Sequence, residues 1–402
     1  MTGLRNRSIK LGKREITPFM IGAMGVNLTT PAMAVIAAEE GTIGHISDAI
    51  CLKVADDECR HEMRKTHRRR NHSVHINPDQ TNIRFSTELI QSSVRSVAEK
   101  AMDRKSPNSD GKIFINIMEK LAMNDPVKTL KARYHGAMDG EIDGITLAAG
   151  LNTRSMALMA DHPRFKETLI GIIVSSARAL DIFLRKSRKY RLPDYIIVEG
   201  PLAGGHLGYS LEELKTKTLE SSLSEVLRYL KKHELKIPVF VAGGIFNAND
   251  VHRFLNLGAS GVQAATRFII AQESGLKENI KQIYINATEK DVIVTHNSPS
   301  TLLTRLLYAS PSLHQRIKPQ CKQNGYGLFR GKCPYIDYYY ATKLTGEFPV
   351  EDRKICLCHQ LSEQKLWFCG STVTMLKDVL SYDLNGKIIY PKTKNIIKEY
   401  TG

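Results

Sequence analysis

Short apolar runs rich in β-branched residues alternate with amphipathic helical stretches through the first 285 residues. Eight runs stand out, at residues 18–24 (PFMIGAM), 42–47 (TIGHIS), 112–118 (KIFINIM), 144–148 (GITLA), 169–175 (LIGIIVS), 195–199 (YIIVE), 237–242 (IPVFVA) and 260–265 (SGVQAA). Runs of this length and composition predict strands. Helical patterns follow at residues 31–39, 83–104, 126–139, 154–160, 177–186, 211–233, 247–256 and 272–285. Strands alternating with helices imply right-handed βαβ units and a parallel sheet covered on both faces. Eight such units predict an α/β fold closed into a (β/α)8 TIM barrel.

Two segments break the alternation. Residues 52–81, between the second strand and the second helix, are polar, rich in His and Arg, and too long for a simple βα loop, so they read as an insertion over the barrel mouth. Beyond residue 285 the pattern stops, which divides the chain into a barrel of residues 1–290 and a lid with a cysteine-containing C-terminal extension, residues 291–402. A chain of 402 residues with 42% hydrophobic residues has ample capacity to bury such a core. No apolar run is long enough to cross a bilayer and no apolar segment follows the basic N-terminus, so the expectation is a soluble, cytoplasmic protein.

The formal charge of +16 raises a nucleic-acid hypothesis, but the basic residues are spread out apart from residues 60–70 (RHEMRKTHRRR), and no nucleic-acid-binding signature accompanies them. That knot reads as a solvated cluster on the insertion. The seven cysteines form an odd set with no secretory signal, which argues against a disulfide framework. Cys321, Cys333, Cys356, Cys358 and Cys369, with His359, offer soft ligands for zinc or an iron–sulfur cluster. Their spacing fits neither pattern, and a C-x-C pair is a poor chelate for one tetrahedral ion, so reduced buried thiols are preferred and no metal is assigned.

In a (β/α)8 barrel the chemistry sits at the C-terminal ends of the strands. Those positions are glycine-rich here. After the sixth strand comes EGPLAGGHLG, where Gly204 and Gly205 let backbone approach a flat or phosphorylated ligand and His206 follows directly. After the seventh comes AGGI with Gly243 and Gly244, and after the eighth QAATRF with Gln263, Ala264, Ala265 and Thr266. Backbone N–H groups from these two turns suit a phosphate. A dinucleotide fold is disfavoured, because GxGxxG is absent after the first strand and no Walker lysine follows the glycines. His206 titrates near neutral pH in its unperturbed state, so it is the candidate catalytic group. Asn116 ends the third strand and suits either cofactor contact or a helix cap, Ser175 and Ser176 end the fifth strand within reach of a cofactor or substrate but read first as a helix cap, and His45 reads as structural or surface.

PFMIGAMG, KIFINIM, EGPLAGGHLG, the segment from IPVFVAGGI to QAATRF, and THNSPSTLLTR occur in an order that resembles the nitronate monooxygenase family, over roughly residues 14 to 310. The flavin-dependent enoyl-acyl-carrier-protein reductases share the pattern. The resemblance implies FMN in the barrel. It places Met24 and Gly25 along the flavin ring, Asn116 in a hydrogen bond to the cofactor, and Gly204 and Gly205 beside the isoalloxazine. Gly243, Gly244, Gln263, Ala264, Ala265 and Thr266 match the phosphate loops, and His206 takes the place of the catalytic histidine. Ala23, where many members have glycine, is a departure at the ring. The implied reaction oxidises an alkyl nitronate with O2 to a carbonyl compound and nitrite. The alternative uses NAD(P)H as co-substrate to reduce FMN and then an enoyl thioester or quinone. A reading of another class, a nucleic-acid-binding protein on a barrel without cofactor, is opposed by the intact glycine turns and His206. The partners expected are a small-molecule substrate and O2; the sequence leaves the oligomeric state open.

Overall fold

The computed structural model describes residues 4, 7–25, 27–151, 153–298, 300, 302–347, 354–363, 365 and 367–402. Each of the eight apolar runs contains a strand. These are β1 (Phe19–Ile21), β2 (Ile43–Ser47), β3 (Lys112–Met118), β4 (Gly144–Ala148), β5 (Leu169–Val174), β6 (Tyr195–Glu199), β7 (Val239–Ala242) and β8 (Gly261–Ala264). Side chains on both faces of these strands are apolar and nearly all buried, so neither face could be left in water. Neighbours pair in parallel, and β8 returns to β1 with Val262 opposite Phe19, which closes the barrel. The floor is an N-terminal hairpin, Ile9–Leu11 against Arg14–Ile16, whose Leu11 and Ile16 pack under Met20, Phe114, Tyr195 and Phe240. The rings of Phe114 and Tyr195 stack with centroids 5.3 Å apart inside the barrel.

Seven outer helices stand where the periodicity puts them: α1 (Pro31–Glu39), α2 (Thr87–Met102), α3 (Pro126–Asp139), α4 (Ser155–Met159), α5 (Ala177–Ser187), α6 (Leu219–Lys232) and α7 (Ala248–Asn256). Local chemistry starts most of them. Thr30, Ser86, Asp125, Ser176, Thr218 and Asn247 each accept a backbone N–H from the first turn of the helix they precede.

The eighth helix departs from expectation. The segment after β8 forms a helix at Glu278–Ile285, but its Tyr284 and Ile285 pack into the layer over the barrel mouth rather than into the ring. The place between α7 and α1 is taken by the C-terminal helix α8 (Thr393–Thr401), whose Ile396, Ile397 and Tyr400 are buried in the same core as the barrel strands. Tyr400 lies against Phe19 at 5.0 Å and stacks on Phe268 at 6.2 Å between centroids. Arg267 pairs with Glu399 beside it.

Above the mouth lies a second apolar cluster that joins the insertion to the C-terminal part of the chain. Across the insertion the structure shows two helices, Cys51–Cys59 and Met63–Arg70, to which the sequence reading assigned no element. The buried Asn71 bridges it to the carbonyls of Arg84 and Lys322. Val292–Thr295, Leu303–Leu307 and Gly205–Leu207 form a three-stranded antiparallel sheet with Arg305 opposite Gly205. All seven cysteines are free, and six are buried. The thiol of Cys358 shares hydrogen bonds with Cys321 and Cys356, yet among the described residues no group of three or more His, Cys, Asp or Glu is arranged to hold a metal ion. Nor is any described helix long and apolar enough to cross a membrane.

Candidate functional site

The C-terminal strand ends surround a cavity of about 180 Å³. Met24 and Gly25 line it from the turn after β1, Asn116 from near the end of β3, and Gly204, Gly205 and His206 from the turn after β6. Gly243 and Gly244 enter after β7, and Gln263, Ala265 and Thr266 from the end of β8. Ala264 is the exception among the residues singled out. Its side chain points outward into the helix layer, as strand alternation requires between Gln263 and Ala265, and only its carbonyl bonds the neighbouring Gly22 N–H at 2.8 Å.

Asn116 is not a helix cap, because Asp125 caps α3; its side chain faces the cavity. Ser176 does cap α5, and Ser175 donates to the Gly208 carbonyl at 2.7 Å. His45 is a buried interior group, held between the Ile21 carbonyl at 2.8 Å and Thr146 Oγ1 at 2.7 Å.

Gly243 and Gly244 have φ of +88° and +94°, values that L side chains rarely adopt. A Cβ on Gly244 would meet Leu202 at 3.2 Å. Neither glycine donates its amide to a partner among the described residues, so both N–H groups remain available to an anion. Thr266 Oγ1 shares a 2.8 Å hydrogen bond with Thr372, which carries the C-terminal segment onto the same rim.

His206 is fixed by its strand. It pairs opposite Thr304, and Phe368 lies 5.8 Å from its ring between centroids. Its Nε2 is buried without a hydrogen-bond partner. Burial, with the nearby Lys120 ammonium adding to it, lowers the imidazole pKa to about 4, so the ring is neutral at physiological pH. A buried unpaired nitrogen costs about 1–3 kcal/mol unless something in the cavity satisfies it.

The sequence reading missed five contributors. Glu199, the last residue of β6, lines the cavity, and burial pushes its carboxyl up to about 8 against the opposing pull of Arg305, so it is predominantly protonated at pH 7. The strand-end rule that selected Asn116 would have found it. Arg305, inside the THNSPSTLLTR segment, donates from Nη1 to the carbonyls of Pro201 and Ala203, both at 2.6 Å, and so clamps the turn that carries His206. Phe368, Cys369 and Gly370 close the cavity from the C-terminal segment. A Cβ on Gly204 would come within 2.5 Å of the Cys369 backbone, and Ser371 N–H donates to the Leu202 carbonyl at 3.0 Å. No local pattern in the sequence announces that approach.

The residues fit a flat phosphorylated cofactor such as FMN: open amides at a glycine turn, glycines where a ring would lie, and one orphaned imidazole nitrogen.

Comparison with known proteins bears on the family and the fold. A probable nitronate monooxygenase from Staphylococcus aureus strain JH9 is 35% identical over 132 residues, which is 33% of this chain and 36% of that protein. The corresponding protein of strain Newman is 34% identical over 102 residues, 25% of this chain and 28% of that protein. The aligned part therefore spans about a third of the relatives' length. Among solved structures, FabK from Thermotoga maritima superposes with a TM-score of 0.56 at 18% identity, covering 95% of this chain and 91% of that one. The nitroalkane oxidase of Streptomyces ansochromogenes has the same TM-score at 14% identity, covering 95% and 94%. At such identities the structural likeness shows the fold. The family model for nitronate monooxygenase matches residues 7–301, most of the chain and every barrel strand, and the protein belongs to the nitronate monooxygenase family.

Proposed function

We propose that the protein is an FMN-dependent oxidoreductase that oxidises a small alkyl nitronate with O2 to a carbonyl compound and nitrite. The observation that carries this reading is the buried, partnerless Nε2 of His206 at a glycine-lined strand-end cavity. Gly243, Gly244, Ala265 and Thr266 would hold the phosphate, while Met24, Gly25, Asn116 and Gln263 with Gly204 and Gly205 would face the ring. The redox chemistry is that of FMN when bound.

What the chain itself contributes is position and charge. A ring with pKa about 4 is a weak base, so His206 is suited less to removing a carbon-bound proton than to donating a hydrogen bond from Nε2 to a substrate that arrives already anionic. Lys120 supplies positive potential at that ring, Arg305 does so at Glu199, and the protonated Glu199 adds no opposing charge. Phe368 and the adjoining backbone exclude water from one side, which strengthens each of these interactions.

Denaturing the purified protein should release FMN, and the loaded protein should convert a nitronate and O2 to nitrite. Steady NADPH oxidation with no nitrite from any nitronate would replace this reading with the enoyl thioester or quinone reductase. A preparation that releases no FMN and cannot be reloaded would remove both.

A further inference from the structure

The insertion and the segment after the lid strands border a second, solvent-open cavity of about 660 Å³, separate from the strand-end site in every lining residue. Arg68, His72 and His75 line it from the insertion, and Lys318, Lys322 and Lys343 from the opposite side. No carboxylate lines it among the described residues, and none of its lysines or Arg68 makes an ion pair there. Two other cations of the basic knot are paired locally, since Arg64 bonds Asp56 and Asp57 and Lys65 pairs with Glu62 at 2.8 Å. Arg68, Lys318, Lys322 and Lys343 thus bring four cations without an ion-pair partner among the described residues to one cavity.

Its walls are tied together. Lys322 Nζ donates to the His72 carbonyl at 2.7 Å, Asn71 Nδ2 to the Lys322 carbonyl at 3.1 Å, and the Tyr340 hydroxyl to the Ile76 carbonyl. Tyr339 and Tyr340 supply aromatic surface, packed edge to face at 5.6 Å. Four permanent cations converging on a space of this size, beside aromatic rings, match the two halves of a nucleotide: phosphates for the cations and a planar base for the rings. The volume lies within the roughly 300–1,000 Å³ of small-molecule sites, and a bounded pocket suits a mononucleotide better than a continuous strand, which would need a groove.

We propose that this cavity binds a mononucleotide carrying a di- or triphosphate, at a site independent of the barrel chemistry. The test is equilibrium titration of the full-length protein with ADP, inorganic pyrophosphate and a long RNA oligomer, repeated on the double variant Lys318→Glu/Lys343→Glu, whose side chains are exposed. ADP is expected to bind saturably and more tightly than pyrophosphate. The charge reversal is expected to raise its Kd about tenfold or more while the flavin content stays as in the wild type. Gly244→Val should leave ADP binding in place, which separates this site from the strand-end turns. Equal affinity for pyrophosphate and ADP would overturn the nucleotide assignment. Absence of saturable ADP binding, indifference to the charge reversal, or binding of the RNA alone would overturn the site.

Discussion

Tyr400→Ala tests whether the last helix belongs to the barrel. The side chain is 1% exposed, in contact with Phe19 of β1 and Phe268 after β8, the two strands that close the cylinder. Arg267 adds a guanidinium 5.7 Å from the ring centroid. Truncating a buried aromatic of this kind costs about 3–5 kcal/mol, through lost transfer free energy and the cavity left behind. The hydroxyl contributes little to that sum, because its contact with the Ile245 carbonyl is at the 3.5 Å limit, and Tyr400→Phe should cost about 1 kcal/mol or less. Urea unfolding followed by tryptophan-independent circular dichroism gives the comparison. Tyr400→Ala should move the main barrel transition to lower urea with its slope preserved, and Tyr400→Phe should hardly move it. An unchanged main transition, or a new early step that melts only one helix's worth of signal, would mean that α8 decorates the barrel rather than completing it.

Other expectations follow from the site. His206→Asn should lower turnover of a nitronate by about 100-fold or more while bound flavin is retained, measured by nitrite release and visible absorbance; unaltered turnover would remove His206 from the chemistry. Gly244→Val should release the cofactor, because a β-branched residue at φ +94° is strained and its side chain would crowd Leu202; a variant that still binds FMN with wild-type affinity in a fluorescence titration refutes the cradle. Burial pushes the Glu199 carboxyl from the ordinary glutamate value of 4.5 up to about 8, so the folded state retains a proton that the unfolded chain loses. Its stabilising contribution is present below pH 4.5 and is lost as pH rises towards 8. Glu199→Gln should therefore be more stable than wild type at pH 7 by on the order of 3 kcal/mol, with the difference vanishing near pH 4.5; a pH-independent difference in denaturation midpoints would contradict the burial argument.

The strands and the glycine turns were legible because each is encoded locally. A run such as KIFINIM has apolar side chains on both faces, and Gly243–Gly244 marks a backbone conformation that few other residues adopt. The eighth ring position was not legible for the converse reason. Residues 272–285 and 393–401 both carry helical periodicity, and the choice between them is made by what fills the space beside Phe19 and Phe268, a contact spanning most of the chain. Within QAAT, strand alternation sends the Ala264 side chain away from the cavity. The carboxyl of Glu199 was in view at a strand end, but its protonation depends on a burial that the C-terminal segment helps to complete, which no spacing within β6 expresses.

These elements together determine what kind of molecule the strand-end cavity can accept. Its titratable side chains His206, Glu199 and Cys369 are all held predominantly in their neutral forms at pH 7 by burial, while Arg305, though burial lowers its pKa, keeps its charge because a guanidinium titrates far above neutral pH. Lys120 adds a second positive charge felt at His206. The field inside is thus positive without a fixed counter-ion on the lining, and in a poorly hydrated space such a field acts strongly on ligand charge. A neutral nitroalkane gains nothing from it and would still need a base stronger than a ring of pKa about 4. An anion already deprotonated in solution gains both the field and the vacant donor capacity of Nε2. Turnover of a preformed nitronate should therefore exceed that of its parent nitroalkane at equal concentration, and the gap should narrow as rising pH converts nitroalkane to nitronate before binding. Equal rates for both at neutral pH would show that the protein removes the proton itself, and His206 would then have to be a stronger base than its burial allows.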